Sequence, residues 1–274
     1  MFFEGEGIMK KLVFLVILLV FVGSACADIT TGLVGWWKMD AADPGDARLV
    51  VDSSSYGNHG TMGSSDAWIP GGGIDFDGGS WGASGITFPG SGADLIADMA
   101  LTDQMTVSFV ATWADGEKTG TNYPYDGRNA TERMISMEAT GTNHIRNFFG
   151  PYPGNDKSTW GSFDDTHAGF IFGFVGKTWG DYIRITTTSN LTTGDYALYV
   201  DDVLYASGTG YSGSFATLAT FTIGRTLWAE MEGKMKDFRI YDRALSADDV
   251  AELPEPATIA LLGLGGLALI RKRK

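Results

Sequence analysis

The sequence predicts an all-β, antiparallel domain in the middle of a 274-residue chain, flanked by two apolar ends. Three observations carry this. Glycine is abundant (38 residues), and strong helix formers are sparse between Asp28 and Gly233, a composition of short strands and many turns. Met105–Trp113 alternates cleanly, with Met105, Val107, Phe109, Ala111 and Trp113 on one face and Thr106, Ser108 and Thr112 on the other, which predicts a half-buried strand. Gly233–Leu253 reads as a last strand followed by a stop. Strand alternation sends Phe238 and Ile240 one way and Met235, Asp237, Arg239 and Tyr241 the other. Ser246 is then a helix N-cap with Asp249 at N3 for a capping box. Leu245 and Val250 are placed for a hydrophobic staple, and Pro254 forbids continuation.

The N-terminal end predicts export. Met9 makes a better start than Met1, because Lys10 and Lys11 then form a basic region ahead of the apolar run Leu12–Val22. Ala25-Cys26-Ala27 supplies a small-x-small cleavage site, so residues 1–27 read as a signal peptide with a signal helix. A lipoprotein signal using Cys26 is the alternative. Cys26 is the one cysteine of the chain, so a mature domain cut after Ala27 has no thiol for a disulfide, a metal or a nucleophile.

Within residues 28–253 the elements follow in order. Leu33–Asp40 (LVGWWKMD) is a strand with a paired Trp, and 48–51 leads into the polar turn segment 52–62. Residues 73–79 form a strand and turn. Glu132–Glu138, Ala168–Val175 and Tyr182–Thr188 read as strands, as does Thr220–Gly224. Tyr196–Ala206 is a hairpin around Asp201-Asp202, where a type I′ turn forces a positive φ on Asp202. Asn122–Arg128 and Asn143–Asp165, rich in Gly, Pro, Asn, Tyr and Trp, read as inserted loops. Asn129 and Asn190 head formal glycosylation sequons.

Two motifs bracket the domain. Asp237, Arg239, Ile240, Tyr241, Arg243, Ala244, Leu245 and Ser246 resemble the closing strand of LamG-like, concanavalin A-like domains, D-x-R-I-Y-x-R-A-L-S. The opening LVGWWKMD and the following Asp52-Ser53-Ser54 resemble that family's first strand and D-S-S-G turn, with Ser55 where the family has Gly. The F-D-G-G and Met105–Trp113 stretches fit the same pattern, whereas the region 115–179 departs from it. The resemblance implies an antiparallel jelly-roll β-sandwich over 28–253, whose terminal strands meet. It also implies carbohydrate binding as the leading role, and in many members a structural Ca²⁺.

The tail is separate. Pro254-Glu255-Pro256, the stretch Ala257–Ile270 and the basic end Arg271–Lys274 resemble the PEP-CTERM sorting signal, which implies processing by an exosortase-type enzyme near Pro-Glu-Pro. Fourteen residues of hydrophobic helix span about 21 Å, short of a hydrocarbon core of about 30 Å. Gly263, Gly265 and Gly266 weaken that helix, and the basic end stays cytoplasmic. The tail is therefore expected to insert in the membrane in transit and to leave the domain outside, at the cell surface or free of it.

Chemistry is read from what the domain offers. Residues 28–253 hold 14 Lys+Arg and 30 Asp+Glu, an acidity that excludes nucleic acid as a partner. Paired carboxylates are what a glycoside hydrolase on this fold requires, but Glu230/Glu232 and Glu132/Glu138 lack the intervening Asp of the family's Glu-x-Asp-x-x-Glu signature. His59, His144 and His167 show no triad spacing, so no catalytic residue is expected. Trp160, Trp179 and Trp228, with Tyr152, lie in loop-like contexts and are the candidates for a sugar platform; packing beneath loops is the alternative use of such rings. Asp52, Asn58 and Asp237 are the oxygen donors for a Ca²⁺, and Asp52 and Asn58 read equally well as turn-forming side chains. The expected function is an exported binding module for a glycan or an extracellular matrix partner. A structural or adhesive surface protein is the alternative, and a hydrolase with an unrecognised carboxylate pair the second.

Overall fold

The computed structural model describes residues 29–77, 83–113, 182–210, 214–225 and 231–253, together with the backbone of four strands at 135–139, 146–151, 158–163 and 172–174. Every strand pair is antiparallel. The strands are β1 (Leu33–Trp37), β2 (Leu49–Val50), β3 (Gly60–Met62), β4 (Ala67–Trp68), β5 (Ile74–Asp77), β6 (Ile86–Thr87), β7 (Gln104–Trp113), β8 (Ile135–Ala139), β9 (Arg146–Pro151), β10 (Ser158–Phe163), β11 (Phe172–Phe174), β12 (Ile183–Asn190), β13 (Asp195–Val200), β14 (Val203–Gly208), β15 (Leu218–Ile223) and β16 (Glu232–Tyr241). Helix α1 covers Ala93–Ala100, and α2 covers Ala247–Ala251. The larger sheet runs β14-β13-β12-β7-β16-β5-β4, with β1 also paired to β16; the smaller runs β2-β3-β6-β15-β8, and β9, β10 and β11 form a three-stranded meander.

The two sheets share one apolar core. Val107, Phe109, Ala111, Ile183, Ile185, Leu198, Met235, Phe238 and Ile240 from the larger sheet join Val50, Met62, Ile86, Phe221 and Ile223 from the smaller. Aromatic rings tie the layers together: Phe238 lies 5.7 Å from Phe109 in the same sheet and 6.4 Å from Phe221 in the other, while Trp37 touches both Phe88 and Phe238. Such pairs contribute about 0.5–1.5 kcal/mol each beyond the area they bury. Helix α1 closes part of the core with Leu95, Ile96 and Met99, the i, i+1, i+4 pattern of an inward helical face. Sequence reading passed over this eight-residue helix, which follows Gly92 in the left-handed conformation. It also took 143–165 for loop, whereas β9 and β10 pair there in continuous register from Arg146↔Phe163 to Pro151↔Ser158. The clusters Asn147-Phe148-Phe149 and Ser158-Thr159-Trp160 contain enough β-favouring residues to pair once a neighbour strand is present.

The closing strand behaves differently from strict alternation. Lys236 sits opposite Val110 of β7, but Arg239 sits opposite Ser108, so β16 holds one extra residue between them. That extra residue is Asp237, with φ +51°, and the backbone there forms a β-bulge. The bulge returns Met235 to the core (fully buried) although Asp237 and Arg239 face outward, which corrects the expectation that all three share a face. It also marks where the neighbour on one side changes. Residues 232–235 pair with β5, residues 238–241 pair with β1, and the Asp237 N–H donates to Lys38 O between them.

Asp237 is the hub of a buried charge network. Its Oδ1 accepts from Trp36 Nε1 (2.8 Å) and Arg239 Nε (2.9 Å), and its Oδ2 accepts from Arg239 Nη2 (3.0 Å) and Arg184 Nη2 (3.1 Å). Arg184 on β12 and Arg239 are each 3% exposed. Arg184 Nη1 also donates to Ser108 Oγ, which shares a 2.8 Å hydrogen bond with Thr186 Oγ1. The network therefore stitches β1, β7, β12 and β16 across the outside of the larger sheet. This second buried face also corrects the reading of β7 as half-buried. Thr106 and Ser108 are fully buried, and Thr106 Oγ1 both donates to Arg243 O and accepts from Leu245 N.

The predicted turn and cap are present. Asp201 and Asp202 take φ +47° and +63° in the two-residue loop between Val200 and Val203, a type I′ hairpin. Asp201 Oδ1 accepts from Arg184 N, which helps hold this conformation without glycine. Ser246 caps α2 with both halves of the capping box formed by Asp249.

Two stability predictions follow from these contacts. Asp237→Asn and Asp237→Gly each leave two buried guanidinium groups without their carboxylate and are expected to destabilise by about 3–5 kcal/mol in urea unfolding. The Gly variant removes the backbone cost of positive φ, so a loss as large as that of Asn locates the effect in the charge; full stability of the Gly variant would refute it. Asp98 has its pKa raised, first by burial and then by Asp242 and Asp94. A folded pKa above the unfolded one means the charged form opposes folding, a cost absent in acid and incurred as pH rises through the carboxylate range. Asp98→Asn is therefore expected to raise Tm slightly at pH 7, and the gain should vanish near pH 3.

Candidate functional site

The described residues concentrate exposed polar and aromatic groups on the outer face of the larger sheet, opposite the core. Registers place its side chains in rows. One row runs Tyr199–Thr186–Ser108–Arg239–Trp36 across β13, β12, β7, β16 and β1 and is mostly closed to solvent. At the end of the sheet where β12 and β16 begin and β7 ends, the face opens. Here Lys234 and Asp75 stand on paired strands with Thr112 next to Lys234, and Lys236 lies across from Val110. Tyr182, just ahead of β12, is 41% exposed, and the Lys236 ammonium sits 4.4 Å from its ring centroid. Lys234 and Asp75 form a 4.0 Å ion pair with both side chains about half exposed, a contact worth little to stability and easily rearranged.

The side chains described at this open end are partly solvated: Tyr182, Lys234 and Asp75 are each close to half exposed. Burial raises the Tyr182 phenol pKa, and the Asp75 carboxylate adds to it, so Tyr182 stays a neutral ring with a hydroxyl donor at physiological pH. Thr112 is only 6% exposed, and its hydroxyl is among the buried side-chain atoms that lack a hydrogen-bond partner. Further in, Trp36 continues the face: the guanidinium carbon of Arg239 lies 4.7 Å from its ring centroid, and the exposed Lys38 ammonium lies 4.4 Å away. An exposed aromatic ring beside charged groups can take a pyranose through C–H contacts to the ring and hydrogen bonds to its hydroxyls.

Sequence reading placed the ring platform elsewhere. Trp160 lies in strand β10, opposite Phe149 of β9 and Phe172 of β11, and not in a loop. Trp179, Trp228 and Tyr152 lie outside the described residues, as do Ala25, Ala27, Pro254, Glu255 and Pro256. The strands that follow Trp179 and Trp228, β12 and β16, begin beside each other's common neighbour β7, at Ile183↔Ala111 and Gly233↔Trp113. Tyr182, the ring that the structure does present there, was read only as the first residue of a strand. The signal was available in its position at the strand mouth, three residues after Trp179.

The proposed Ca²⁺ ligands do not form a cation site. Asp52 is 5% exposed, and both its oxygens are taken: Oδ1 by Trp36 N and Ser54 N, Oδ2 by Ser54 Oγ and Asn58 N. Asn58 Nδ2 donates to Val34 O, and Asn58 O accepts from Trp37 Nε1. His59 Nδ1 accepts from Asp52 N, so it too belongs to the turn. These residues lash the 52–59 turn to β1, the Asx-type use. Asp237 faces two arginines instead of joining them, and a guanidinium pair is the opposite of the all-oxygen shell that Ca²⁺ requires. Among the described residues no group of three or more His, Cys, Asp or Glu side chains is placed to hold a metal.

Comparison with known proteins agrees with the architecture. Residues 125–251 match the family profile of the concanavalin A-like lectin/glucanases superfamily, and residues 252–274 match the PEP-CTERM protein-sorting motif. No curated protein matches the chain. Among solved structures, Trypanosoma rangeli sialidase in complex with 2,3-difluorosialic acid superposes with a TM-score of 0.58 at 14% identity, over 85% of this chain and 34% of the sialidase. Domain 4 of AbnA, a GH43 extracellular arabinanase from Geobacillus stearothermophilus in complex with arabinotriose, gives 0.54 at 18% identity, over 81% of this chain and 98% of that domain. The binding domain of botulinum neurotoxin DC in complex with SialylT gives 0.55 at 10% identity, over 86% and 52%. The chain spans about a third of the length of the sialidases it resembles. At these identities the likeness is one of fold. The chain folds as an antiparallel β-sandwich, resembles the concanavalin A-like superfamily over residues 125–251, and matches over residues 252–274 the PEP-CTERM motif, which indicates export and sorting to the cell surface.

Proposed function

We propose that this protein is a non-catalytic carbohydrate-binding module displayed at or beyond the cell surface, with the open end of the larger sheet's outer face as its binding surface. The observation that carries the reading is Tyr182, an exposed ring with the Lys236 ammonium over it and the Lys234–Asp75 pair on the neighbouring strands. An exposed aromatic at a sheet mouth, framed by polar groups with no structural partner of high value, is the arrangement that sugar recognition uses. Domain 4 of AbnA, of similar size and fold, was solved with arabinotriose, and the botulinum binding domain with SialylT, which supports a glycan for this chain as well.

A non-enzymatic role is favoured by how the carboxylates of this face are used. Asp75 is half exposed and paired with a lysine, and Asp237 is locked between two arginines, so neither stands opposite a second carboxylate as hydrolysis of a glycosidic bond requires. The tail acts in transit: export brings the domain across the membrane, the hydrophobic stretch holds it there, and an exosortase-type enzyme removes the address.

Tyr182→Ala is expected to weaken binding at least tenfold for whichever polysaccharide retards the wild-type chain in affinity electrophoresis, with unchanged far-UV circular dichroism and Tm. Retention of full binding by Tyr182→Ala would move the site elsewhere, and hydrolysis of the polysaccharide by the wild type would overturn the non-enzymatic reading. Mass spectrometry of the protein recovered from its native host is expected to show a C-terminus near Pro254-Glu255-Pro256; recovery of intact Arg271–Lys274 would refute processing.

A further inference from the structure

We propose that Asn190 is an N-glycosylation site, carrying an oligosaccharide transferred to it from a lipid-pyrophosphate donor as the chain crosses the membrane. The sequence offers Asn-x-Thr sequons at Asn129 and Asn190, and the second lies among the described residues. An acceptor sequon needs a side-chain amide that can be substituted, a hydroxyl two residues on, and a place on the surface of an exported domain. Asn190-Leu191-Thr192 meets each requirement at the turn from β12 to β13, on a chain whose PEP-CTERM motif indicates export.

Leu191 sets the geometry. It is 3% exposed and belongs to the core, and its N–H donates to Asp103 O (2.9 Å). With the middle residue of the sequon turned inward, Thr192 is exposed and Asn190 partly so. The Asn190 carboxamide is used on one side only. Its Oδ1 accepts from Thr192 N (3.0 Å) and Thr193 N (3.2 Å), which closes an Asx-type turn. Among the described residues its Nδ2 and the Thr192 hydroxyl make no hydrogen bond. Asn58 differs, because its Nδ2 donates to Val34 O. Replacing one Nδ2 hydrogen of Asn190 by a sugar therefore breaks no hydrogen bond of the fold and keeps both Oδ1 contacts.

In the transfer Nδ2 attacks the anomeric carbon of the first sugar. The C1–N bond forms, the C1–O bond breaks with its electron pair leaving on the lipid pyrophosphate, and one Nδ2 proton passes to a base of the transferase; nothing is oxidised or reduced. Leu191 is buried in the folded domain, so the transfer precedes docking of the β12–β13 hairpin and belongs to export. Asn190 is the last residue of β12 and Tyr182 stands just ahead of its first. The eight residues of β12 put about 26 Å between the two. The attached glycan thus covers the far end of the sheet and leaves the Tyr182 end open.

The test is mass spectrometry of the tryptic peptide 185–225, which holds Asn190, from protein recovered at the surface of its native host. The wild type is expected to give this peptide with the added mass of a whole glycan at Asn190, and Thr192→Ser to retain it. Asn190→Gln, Asn190→Asp and Thr192→Ala are each expected to abolish it. Asn190→Asp keeps an oxygen for Thr192 N and Thr193 N, so loss of the added mass with the far-UV circular dichroism of the wild type separates a missing acceptor amide from a misfolded turn. An unmodified wild-type peptide overturns the inference. So does an added mass that survives Asn190→Asp, which would put the sugar on a neighbouring hydroxyl. Neither outcome bears on the Tyr182 face, whose own test is polysaccharide binding.

Discussion

One carboxylate organises the outside of the larger sheet. Asp237 occupies the extra position of a β-bulge in the central strand β16, where the strand exchanges β5 for β1 as its neighbour. A buried carboxylate alone is costly, and two buried guanidinium groups alone are costlier. Together, with the Trp36 indole N–H completing the carboxylate's acceptors, they form a closed set whose geometry can be met only when β1, β12 and β16 are in register. The network is thus less a source of net stability than a device that makes one register much better than its neighbours.

That device has a consequence for function. By drawing Arg184 and Arg239 inward, Asp237 leaves the middle of the face polar, filled and closed, and the described groups that reach solvent, Tyr182, Lys234 and Lys236, lie at its open end, where we propose binding. The buried network and the proposed binding surface are therefore separate parts of one face. A similar separation explains why the Asp52 turn is not a metal site: its carboxylate has been turned over to main-chain N–H groups of the segment that ties β1 to the turn.

The solved structures that share this architecture include sialidases, of which this chain matches about a third, and one domain of an arabinanase, solved with arabinotriose, which is matched over 98% of its length. Fold does not decide between these uses. We propose recognition without turnover because an exposed ring, Tyr182, stands with Lys236 and the Lys234–Asp75 pair at the open end of the face.

Much of this was legible in the chain. Alternation in β7 and in the hairpin around Asp201-Asp202, the capping box of Ser246 and Asp249, and the paired opening and closing motifs are local or motif-level signals, and each is present in the structure. Local rules failed where a residue's role depends on a distant partner. Met235 lies in the core because a bulge two residues later resets the alternation, and that bulge is held by Arg184, 53 residues away in sequence. Asp237 reads as a cation ligand because it is acidic and lies on the closing strand, expected to pair with the opening one; only the tertiary structure shows that the cations beside it are arginines. The sequence by itself determined the class of fold, the C-terminal sorting motif and the acidic character, because composition and short-range pattern carry those. The tertiary structure decided which carboxylates are spent inside and which ring and lysines are left to meet a ligand, because burial and pairing are properties of strands brought together and not of neighbours along the chain.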